Sequence, residues 1–371
     1  MRRSTLAVGA SVLALTSSLL TAPAQAHSRE PEVVVDGLVG PLSLAVGSGK
    51  HVYLTQNFSG QLSKVRRGTV STVYQVPETG SLGGVATSRG RTYHLESDFS
   101  GETPTSHVVR TSWDGTRTVV SDDLWQHEIQ NNPDAGVGYG FVGLNPSCAE
   151  ELGAWEEASD SPPLSEYTGI VESNAYQLEV RGHRAYVADA AANAVLEVDL
   201  RTGDVSTAAV LPVFDIPFTE ELKAGLEASL PPGADPLPDC VVGADYVPES
   251  VPTDVAVDHR GRLYVTTLGG AAGEVVPLSR VYRIDRHGHA TTVVRGLHGA
   301  TGLDRSRDGH LVVAELFGGE VSVVRPGSGK ARTLFTADSP ADVALSGTRV
   351  YATTGAFGNG ALVKYDLGRR R

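Results

Sequence analysis

Short apolar runs separated by turns recur along the whole chain, and residues 252–266 (PTDVAVDHRGRLYVT) show the pattern most clearly. Two apolar runs flank the turn at residues 258–261, which contains aspartate and glycine. Such a spacing is typical of a β-hairpin. The same pattern returns at residues 41–54 and again at residues 340–352. The chain is therefore interpreted first as a repeat protein.

Six copies of this unit align on the tyrosine of the second apolar run, with valine in its place in the fifth copy. The aligned residues are Tyr53, Tyr93, Tyr186, Tyr264, Val312 and Tyr351. Two further strand-like runs follow the hairpin, at residues 61–65 and 70–74 in the first copy. Four antiparallel strands per unit form one blade of a β-propeller. The sequence predicts an all-β fold, a six-bladed β-propeller.

The sixth copy contains three predicted strands, at residues 341–345, 349–354 and 361–365. A segment near the other end, residues 33–38 (VVVDGL), resembles the fourth strand of copy four at residues 292–297 (TVVRGL). We expect the N-terminal strand to complete the last blade and to close the ring. Closure removes the open sheet edges that a β protein must otherwise protect.

Two insertions interrupt the repeat, at about residues 121–173 and 212–250, each between the last strand of one blade and the first strand of the next. Loops between blades share one face of a propeller, so both insertions are expected to cover one mouth of the central channel. Each contains a predicted helix. These are residues 149–158 after the capping box Ser147-x-x-Glu150, and residues 220–230 after the cap Thr219, with Leu222, Leu226 and Leu230 on one face.

The chain has two cysteines, Cys148 and Cys240, and each insertion carries one of them. A pair of cysteines in an exported protein is usually a disulfide, whereas the alternative is two unrelated buried thiols. Because both insertions are expected on the same face, above adjacent blades, the sequence predicts a Cys148–Cys240 bridge. It would restrict the two long loops in the unfolded chain.

The first 26 residues have the pattern of a cleaved signal peptide. Arg2 and Arg3 precede a largely apolar stretch at residues 6–20, and Ala24-Gln-Ala26 is a small-x-small cleavage site. An N-terminal membrane anchor is the alternative, but the apolar stretch is short for a bilayer span. We therefore expect a secreted protein whose mature chain, residues 27–371, is a single propeller domain and a monomer with no membrane span.

The net charge of the chain is −12. Nucleic acid is therefore not an expected partner, since binding to phosphates requires a basic surface. The expected partner is instead a small molecule, a glycan or a protein at the channel mouth.

Four segments resemble the ScyD/ScyE family of exported six-bladed propellers, which belongs to the TolB-like superfamily and takes its name from a cyanobacterial scytonemin pigment cluster. The segments are residues 130–134 (QNNPD), 172–176 (ESNAY), 248–256 (PESVPTDVA) and 279–283 (SRVYR). The resemblance covers essentially the whole mature chain, and it implies the fold and the export. It implies little chemistry, since no molecular activity is established for the family. The chain departs from the family at Ala175, where proline is expected.

The repeat places polar residues at two positions near the expected channel mouth. One position is three residues after the aligned tyrosine, and the other is two residues before the alanine of the first strand. Strand periodicity would direct these side chains toward the axis or its rim. The candidate ligand or metal residues are Glu96, Asp189, Glu315, Asp254 and Asp342, with Asn174 and Glu249 from the insertions.

Several carboxylate and amide oxygens at one mouth would suit Ca²⁺, which takes six to eight oxygen ligands. Such a cation could polarise an ester or lactone carbonyl. The alternative is that these residues cap loops, as Asp and Asn often do. The chain contains no G-x-S-x-G, H-E-x-x-H or EF-hand motif. We therefore expect a binding protein, with a Ca²⁺-dependent hydrolase or lactonase and a structural envelope protein as alternatives, and no catalytic residue is assigned.

Overall fold

A computed structural model describes residues 30–112, 115–159 and 162–368. The predicted signal peptide lies outside the described residues. Within these ranges no helix is long and apolar enough to cross a bilayer.

Strands dominate the described chain, and four short helices interrupt them. The first fourteen strands are β1 Glu32–Leu38, β2 Pro41–Val46, β3 Val52–Gln56, β4 Gln61–Arg66, β5 Thr69–Gln75, β6 Gly80–Ser88, β7 Arg91–Asp98, β8 Thr105–Thr111, β9 Arg117–Val119, β10 Gly138–Val142, β11 Tyr167–Thr168, β12 Ala175–Arg181, β13 Arg184–Asp189 and β14 Ala194–Asp199.

The remaining strands are β15 Val205–Val210, β16 Ile216–Pro217, β17 Asp245–Val247, β18 Pro252–Val257, β19 Leu263–Thr267, β20 Ser279–Ile284, β21 Ala290–Leu297, β22 Ala300–Arg305, β23 Leu311–Glu315, β24 Glu320–Val324, β25 Ala331–Thr336, β26 Asp342–Ser346, β27 Arg349–Thr354 and β28 Gly360–Asp366. The helices are α1 Leu124–Asn131, α2 Pro146–Ser159, α3 Glu220–Ser229 and α4 Ala272–Val275.

Five sheets each consist of four consecutive antiparallel strands, and we call them sheet 1 (β2–β5), sheet 2 (β6–β9), sheet 3 (β12–β15), sheet 4 (β18–β21) and sheet 5 (β22–β25). Sheet 6 has the order β1-β28-β27-β26. The first repeat strand of each sheet, here called its inner strand, contacts the inner strand of the next sheet, and β26 contacts β2 in turn. Each of the six inner strands therefore contacts two other inner strands.

The N-terminal strand β1 pairs with the last strand β28, as the sequence predicts. Val33 lies opposite Val363, and Val35 lies opposite Leu362. Leu38 is buried at the end of β1, in an apolar cluster that contains residues of sheet 1 and of sheet 6. The burial of Leu38 thus ties the beginning of the described chain to its end.

The apolar core is divided into layers between neighbouring sheets. The aligned position of the repeat explains the division, because in each sheet it packs against the next sheet along the chain. Tyr93 packs with residues of sheet 3, Tyr264 with residues of sheet 5, and Tyr351 with residues of sheet 1. Val312, which replaces tyrosine, occupies the same place between sheets 5 and 6. The aligned residue of the repeat therefore packs each sheet against the next one along the chain.

The two insertions fold together, which the sequence did not predict. Strands β10 and β11 of the first insertion and β16 and β17 of the second form one further sheet, the insertion sheet, with the order β11-β10-β17-β16. Phe141 and Phe218, one from each insertion, contact edge to face with ring centroids 4.7 Å apart. The predicted disulfide is present, with Cys148 and Cys240 Cα atoms 5.7 Å apart.

One predicted helix cap is confirmed and the other is wrong. Thr219 caps α3, since its Oγ1 accepts a hydrogen bond from the Leu222 backbone N–H at 3.2 Å. Helix α2 begins at Pro146, earlier than expected, and its cap is Asn145, whose Oδ1 accepts from the Cys148 N–H at 3.0 Å. Ser147 therefore lies inside the first turn. Asn and Ser are comparable as caps, so the choice between them depended on where the chain turns.

Candidate functional site

A cavity of about 260 Å³ is lined by residues of all six inner strands, and we call it the axial cavity. The lining segments are residues 44–46, 85–87, 177–179, 254–257, 303–305 and 342–345. These are the middle and C-terminal parts of the inner strands, whereas the insertions join the N-terminal ends of β12 and β18. The axial cavity therefore lies toward the ends of the inner strands that are opposite the insertions.

Four acidic side chains line this axial cavity. Two of them, Asp254 and Asp342, belong to the predicted ring of candidates and are buried. The other two, Glu179 and Asp304, are half-buried and were not predicted. Arg305 is the single basic residue among the lining residues. The cavity wall thus carries an excess of acidic groups.

Each aspartate on the cavity wall also joins two neighbouring inner strands. Asp254 Oδ2 accepts a hydrogen bond from the Leu303 N–H at 2.6 Å, between sheets 4 and 5. Asp342 Oδ2 accepts from the Leu44 N–H at 2.6 Å, between sheets 6 and 1. Asp304 Oδ2 accepts from Leu345 N–H at 2.6 Å, between sheets 5 and 6. These carboxyl groups therefore connect the inner strands as well as line the cavity.

Burial raises the pKa values of the four carboxyl groups that line the axial cavity. Burial raises the pKa of Asp342 to about 7 and that of Asp304 to about 6. Burial and the neighbouring Asp304 raise the pKa of Glu179 to about 8, against the opposing charge of Arg181. Burial and the charge of Asp342 raise the pKa of Asp254. Like charges this close in a low dielectric oppose one another's ionisation, so the cavity favours protons or a bound cation.

Strand periodicity was the signal that could have found Glu179 and Asp304. Gln177 and Gly302 occupy the second repeated position, two residues before the alanine position of the inner strand, and Glu179 and Asp304 follow them by two residues. Residues two apart on a strand share a face. Including the residue two positions further along each inner strand would have added both acids to the predicted candidates.

A second group of candidates holds loops against their own sheets. In sheets 1, 3 and 5, the residue three after the aligned position accepts a hydrogen bond from a backbone N–H that lies just before the inner strand of the same sheet. The donors are Val39 to Gln56 (2.8 Å), Asn174 to Asp189 (2.6 Å) and His298 to Glu315 (2.9 Å). In these sheets the residue at the repeated position therefore has a structural role. Asn174 takes part through its backbone N–H, and its side chain is exposed.

Glu96 lies between the outer parts of sheets 1 and 2. Its Oε1 accepts a hydrogen bond from the Tyr74 hydroxyl at 3.0 Å, and its Oε2 forms a salt bridge with Arg117. His94 Nε2 is 3.4 Å from the same carboxylate. Burial would raise the pKa of Glu96, but these three partners outweigh it and the pKa is lowered. Glu96 thus belongs to a polar cluster that joins two sheets.

Glu249 lies beneath the insertion sheet, where its Oε1 accepts a hydrogen bond from the Tyr167 hydroxyl at 3.0 Å. Burial raises the pKa of Glu249, and the charge of Asp134 raises it too. Asp134 Oδ2 accepts from Tyr139 at 2.8 Å and from Asn193 at 3.0 Å. The insertions therefore rest on sheet 3 through a buried polar layer.

The predicted calcium ligands lie in these different surroundings. Within the described ranges no three His, Cys, Asp or Glu side chains are grouped so that they would hold a metal ion. Asp254 and Asp342 also use both carboxylate oxygens to accept backbone N–H groups. This donor set does not fit a calcium ion, which requires six to eight oxygen ligands.

Comparison with known proteins identifies the fold. No family model and no curated protein matches the chain. The PQQ-bound aldose sugar dehydrogenase of Streptomyces coelicolor aligns with 90% of this chain and 96% of its own, at 13% identity and a TM-score of 0.53. A gluconolactonase of Xanthomonas campestris aligns with 90% of this chain and 89% of its own, at 12% identity and a TM-score of 0.53.

A chain of a nidogen/laminin complex is also similar, over 85% of this chain and 89% of that chain, at 12% identity and a TM-score of 0.51. These identities are too low to transfer an activity, because one fold supports many functions. Together with the repeated four-stranded sheets, they show that the chain has a β-propeller fold.

Proposed function

We propose that this protein is an exported six-bladed β-propeller, closed by β1, that binds a small molecule carrying a cationic group in its axial cavity. The blade count and the closure are supported by the contacts among the six inner strands and by the pairing of β1 with β28. Export is supported by the Cys148–Cys240 disulfide, which is typical of proteins in oxidising compartments. The ScyD/ScyE resemblance agrees with this assignment, in which residues 27–371 are one domain.

The proposal rests mainly on the acidic residues that line the axial cavity. Four carboxyl groups, those of Glu179, Asp254, Asp304 and Asp342, line one cavity that has a single basic residue in its lining. Their raised pKa values mean that ionisation is costly without a positive partner. A cation in the cavity would remove that cost, since opposite charges favour the ionised form.

The dimensions of the cavity limit the ligand. Its volume of about 260 Å³ is smaller than the roughly 300–1,000 Å³ that is typical of pockets for drug-sized ligands. The half-buried Glu179 offers a hydrogen-bonding group on the cavity wall. The expected ligand is therefore a small amine or quaternary ammonium compound with few heavy atoms.

Thermal melts of the whole mature chain at pH 8 test this function. The probes are ethanolamine, choline and putrescine, with glycerol as an uncharged control at constant ionic strength. A ligand at 100 times its Kd stabilises the folded state by about 2.7 kcal/mol, so a cation that binds raises Tm while glycerol does not.

Glu179→Gln keeps the shape of the side chain and removes its charge, so it should reduce the shift caused by the cation. Glu102→Gln is the matched control, because Glu102 is exposed on a loop outside the cavity. The proposal fails if none of the cations shifts Tm, or if the Glu179→Gln and Glu102→Gln proteins respond alike.

The alternative of a calcium-dependent lactonase has less support. A gluconolactonase is among the similar structures, but that similarity concerns the fold. The predicted ligand residues already accept hydrogen bonds within the protein. Asp189 and Glu315 bind loop N–H groups, and Asp254 and Asp342 connect neighbouring inner strands. Glu96 accepts a hydrogen bond from Tyr74. The cavity chemistry therefore favours binding of an organic cation.

A further inference from the structure

A second cavity, of about 510 Å³, lies between sheets 4 and 5 near their turns. We call it the arginine groove, because four arginines line it. These are Arg262, Arg283, Arg305 and Arg325. Asp308 is the only acidic residue among its lining residues. Such a concentration of positive charge is unusual on a chain whose net charge is −12.

Among the described residues, only one of the four guanidinium groups has an acidic partner in a salt bridge. Arg262 Nε forms a salt bridge with Asp258 Oδ2 at 2.7 Å. Arg283, Arg305 and Arg325 make no salt bridge with any residue in the described ranges. Asp308 forms its own ion pair with His310, with Oδ2 to Nδ1 at 3.1 Å. Within the part of the chain that the structure describes, the groove therefore has positive charge that no acidic side chain neutralises by a salt bridge.

Arg305 is held in place rather than free in solvent. Its guanidinium lies over the Tyr264 ring, with Cζ 5.2 Å from the ring centroid. Its Nε is buried and has no hydrogen-bond partner among the described residues. At Gly309 a Cβ atom would lie 3.0 Å from Arg305 Nη2, so the absence of a side chain there leaves room for the guanidinium. A buried donor without a partner costs about 1–3 kcal/mol, which a ligand acceptor would recover.

We propose that the arginine groove binds an oxyanion, the phosphate or sulfate group of a small ester. A planar guanidinium donates two parallel hydrogen bonds to such groups, and hydrogen bonds between ionised partners are the strong ones. Three unpaired guanidinium groups around one groove provide both the charge and the donors. This site differs from the proposed cation site, because its ligand has the opposite charge and it lies between two sheets. Arg305 lines both cavities, so Arg283 and Arg325 are the residues that distinguish the two sites.

Isothermal titration calorimetry of the whole mature chain tests the proposal. Sodium phosphate, sodium sulfate, glycerol phosphate and methyl sulfate are titrated at constant ionic strength, with sodium chloride as the reference. Saturable binding of a phosphate or a sulfate probe is expected, and the two esters show which oxyanion the groove prefers. Heats no larger than those of chloride for all four probes would overturn the proposal.

Variants locate the binding. Arg283→Gln and Arg325→Gln each remove one unpaired guanidinium and should weaken oxyanion binding about tenfold, the effect of losing one charge-assisted hydrogen bond. Arg305→Gln should do the same, and the other two variants carry the test if its loss of packing on Tyr264 prevents folding. Arg307→Gln is the matched control, since Arg307 is exposed and does not line the groove.

An equal loss of affinity in Arg307→Gln would show only a general effect of net charge and would overturn the site. Unchanged affinity in both Arg283→Gln and Arg325→Gln would also overturn it. Retained cation shifts in these variants would show that the axial cavity is unaffected.

Discussion

Ser43 Oγ donates a hydrogen bond of 2.7 Å to Gln177 Oε1, although the two residues are 134 positions apart and belong to sheets 1 and 3. Sheet 2 lies between them, and a Cβ atom at Gly84 would collide with Gln177 Oε1. The same Ser43 oxygen accepts from the Val85 N–H at 2.9 Å. One glycine thus allows three inner strands to share a hydrogen-bond network at the axis.

Replacing that glycine tests how closely the inner strands approach. Gly84→Ala should destabilise the protein by about 1–3 kcal/mol, the usual cost of overpacking, because the new methyl group would contact Gln177. Gly153→Ala is the control, since this helical glycine in α2 has no atom within 4 Å of its added Cβ. It should be neutral or stabilising. Urea denaturation of both variants measures the difference, and equal stability would contradict the close approach.

The pairing of β1 with β28 makes a separate prediction. Leu38 is 3% exposed and Val33 is 58% exposed, although both lie on β1. Leu38→Ala should cost about 2–5 kcal/mol because it opens a cavity between sheets 1 and 6. Val33→Ala on the same strand should change stability by less than about 0.5 kcal/mol. Chemical denaturation checks both values, and a mild effect of Leu38→Ala would argue against the closed arrangement.

The disulfide should stabilise the insertions more than the repeated sheets. It closes a loop with a sequence separation of 92 residues. Removing it with Cys148→Ala and Cys240→Ala together should cost about 2–5 kcal/mol. Hydrogen exchange should then rise in α2 and α3 while the inner strands remain protected. If the inner strands exchange as fast as α2, the bridge serves the whole domain and not only the insertions.

Glu128 makes the stability of the protein depend on pH. This residue of α1 is 1% exposed, and neither carboxylate oxygen has a hydrogen-bond partner of good geometry among the described residues. Burial raises the pKa of Glu128 from 4.5 to about 7, the charges of Asp189 and Asp134 raise it as well, and the Glu172 backbone N–H opposes the shift. Between those two pH values the folded state keeps a proton that the unfolded state has lost. Stability therefore falls as pH rises through this window.

The isosteric change Glu128→Gln removes the cost of ionisation. The variant should equal the wild type near pH 4 and exceed it at pH 8 by on the order of 3 kcal/mol. Denaturant melts across pH measure this, with the exposed Glu102→Gln as a control for the loss of one negative charge. A variant that is less stable at pH 8 would show that the ionised carboxylate has a stabilising partner.

The repeat made most of the fold predictable because each copy supplies the same strands and the same packing position. Local patterns predict the four strands of each unit and the return of β1 to β28. They also predict the Thr219 cap of α3. The strands of the insertions could not be predicted in this way. Strands β11 and β16 have two residues each and form a sheet only because β10 and β17, from different insertions, pair with each other.

The candidate site was less predictable than the fold. Asp254 and Asp342 were placed on the axis by strand periodicity, and both line the axial cavity. Asp189 and Glu315 share a repeat position for a different reason, because each accepts a backbone N–H that fixes a loop. A polar residue at a repeated position indicates a repeated role, but the sequence does not say whether that role concerns a ligand or the backbone.

The sequence by itself determined the four strands of each repeat, their order along the chain and the place of the insertions, because these depend on local periodicity and on chain connectivity. It also favoured the pairing of the two cysteines, because each insertion carries one of them. Only the tertiary structure decided which acids share one cavity and which guanidinium groups lack a partner. Distances across the axis and between sheets depend on how six sheets pack together, and no local pattern in the chain contains them.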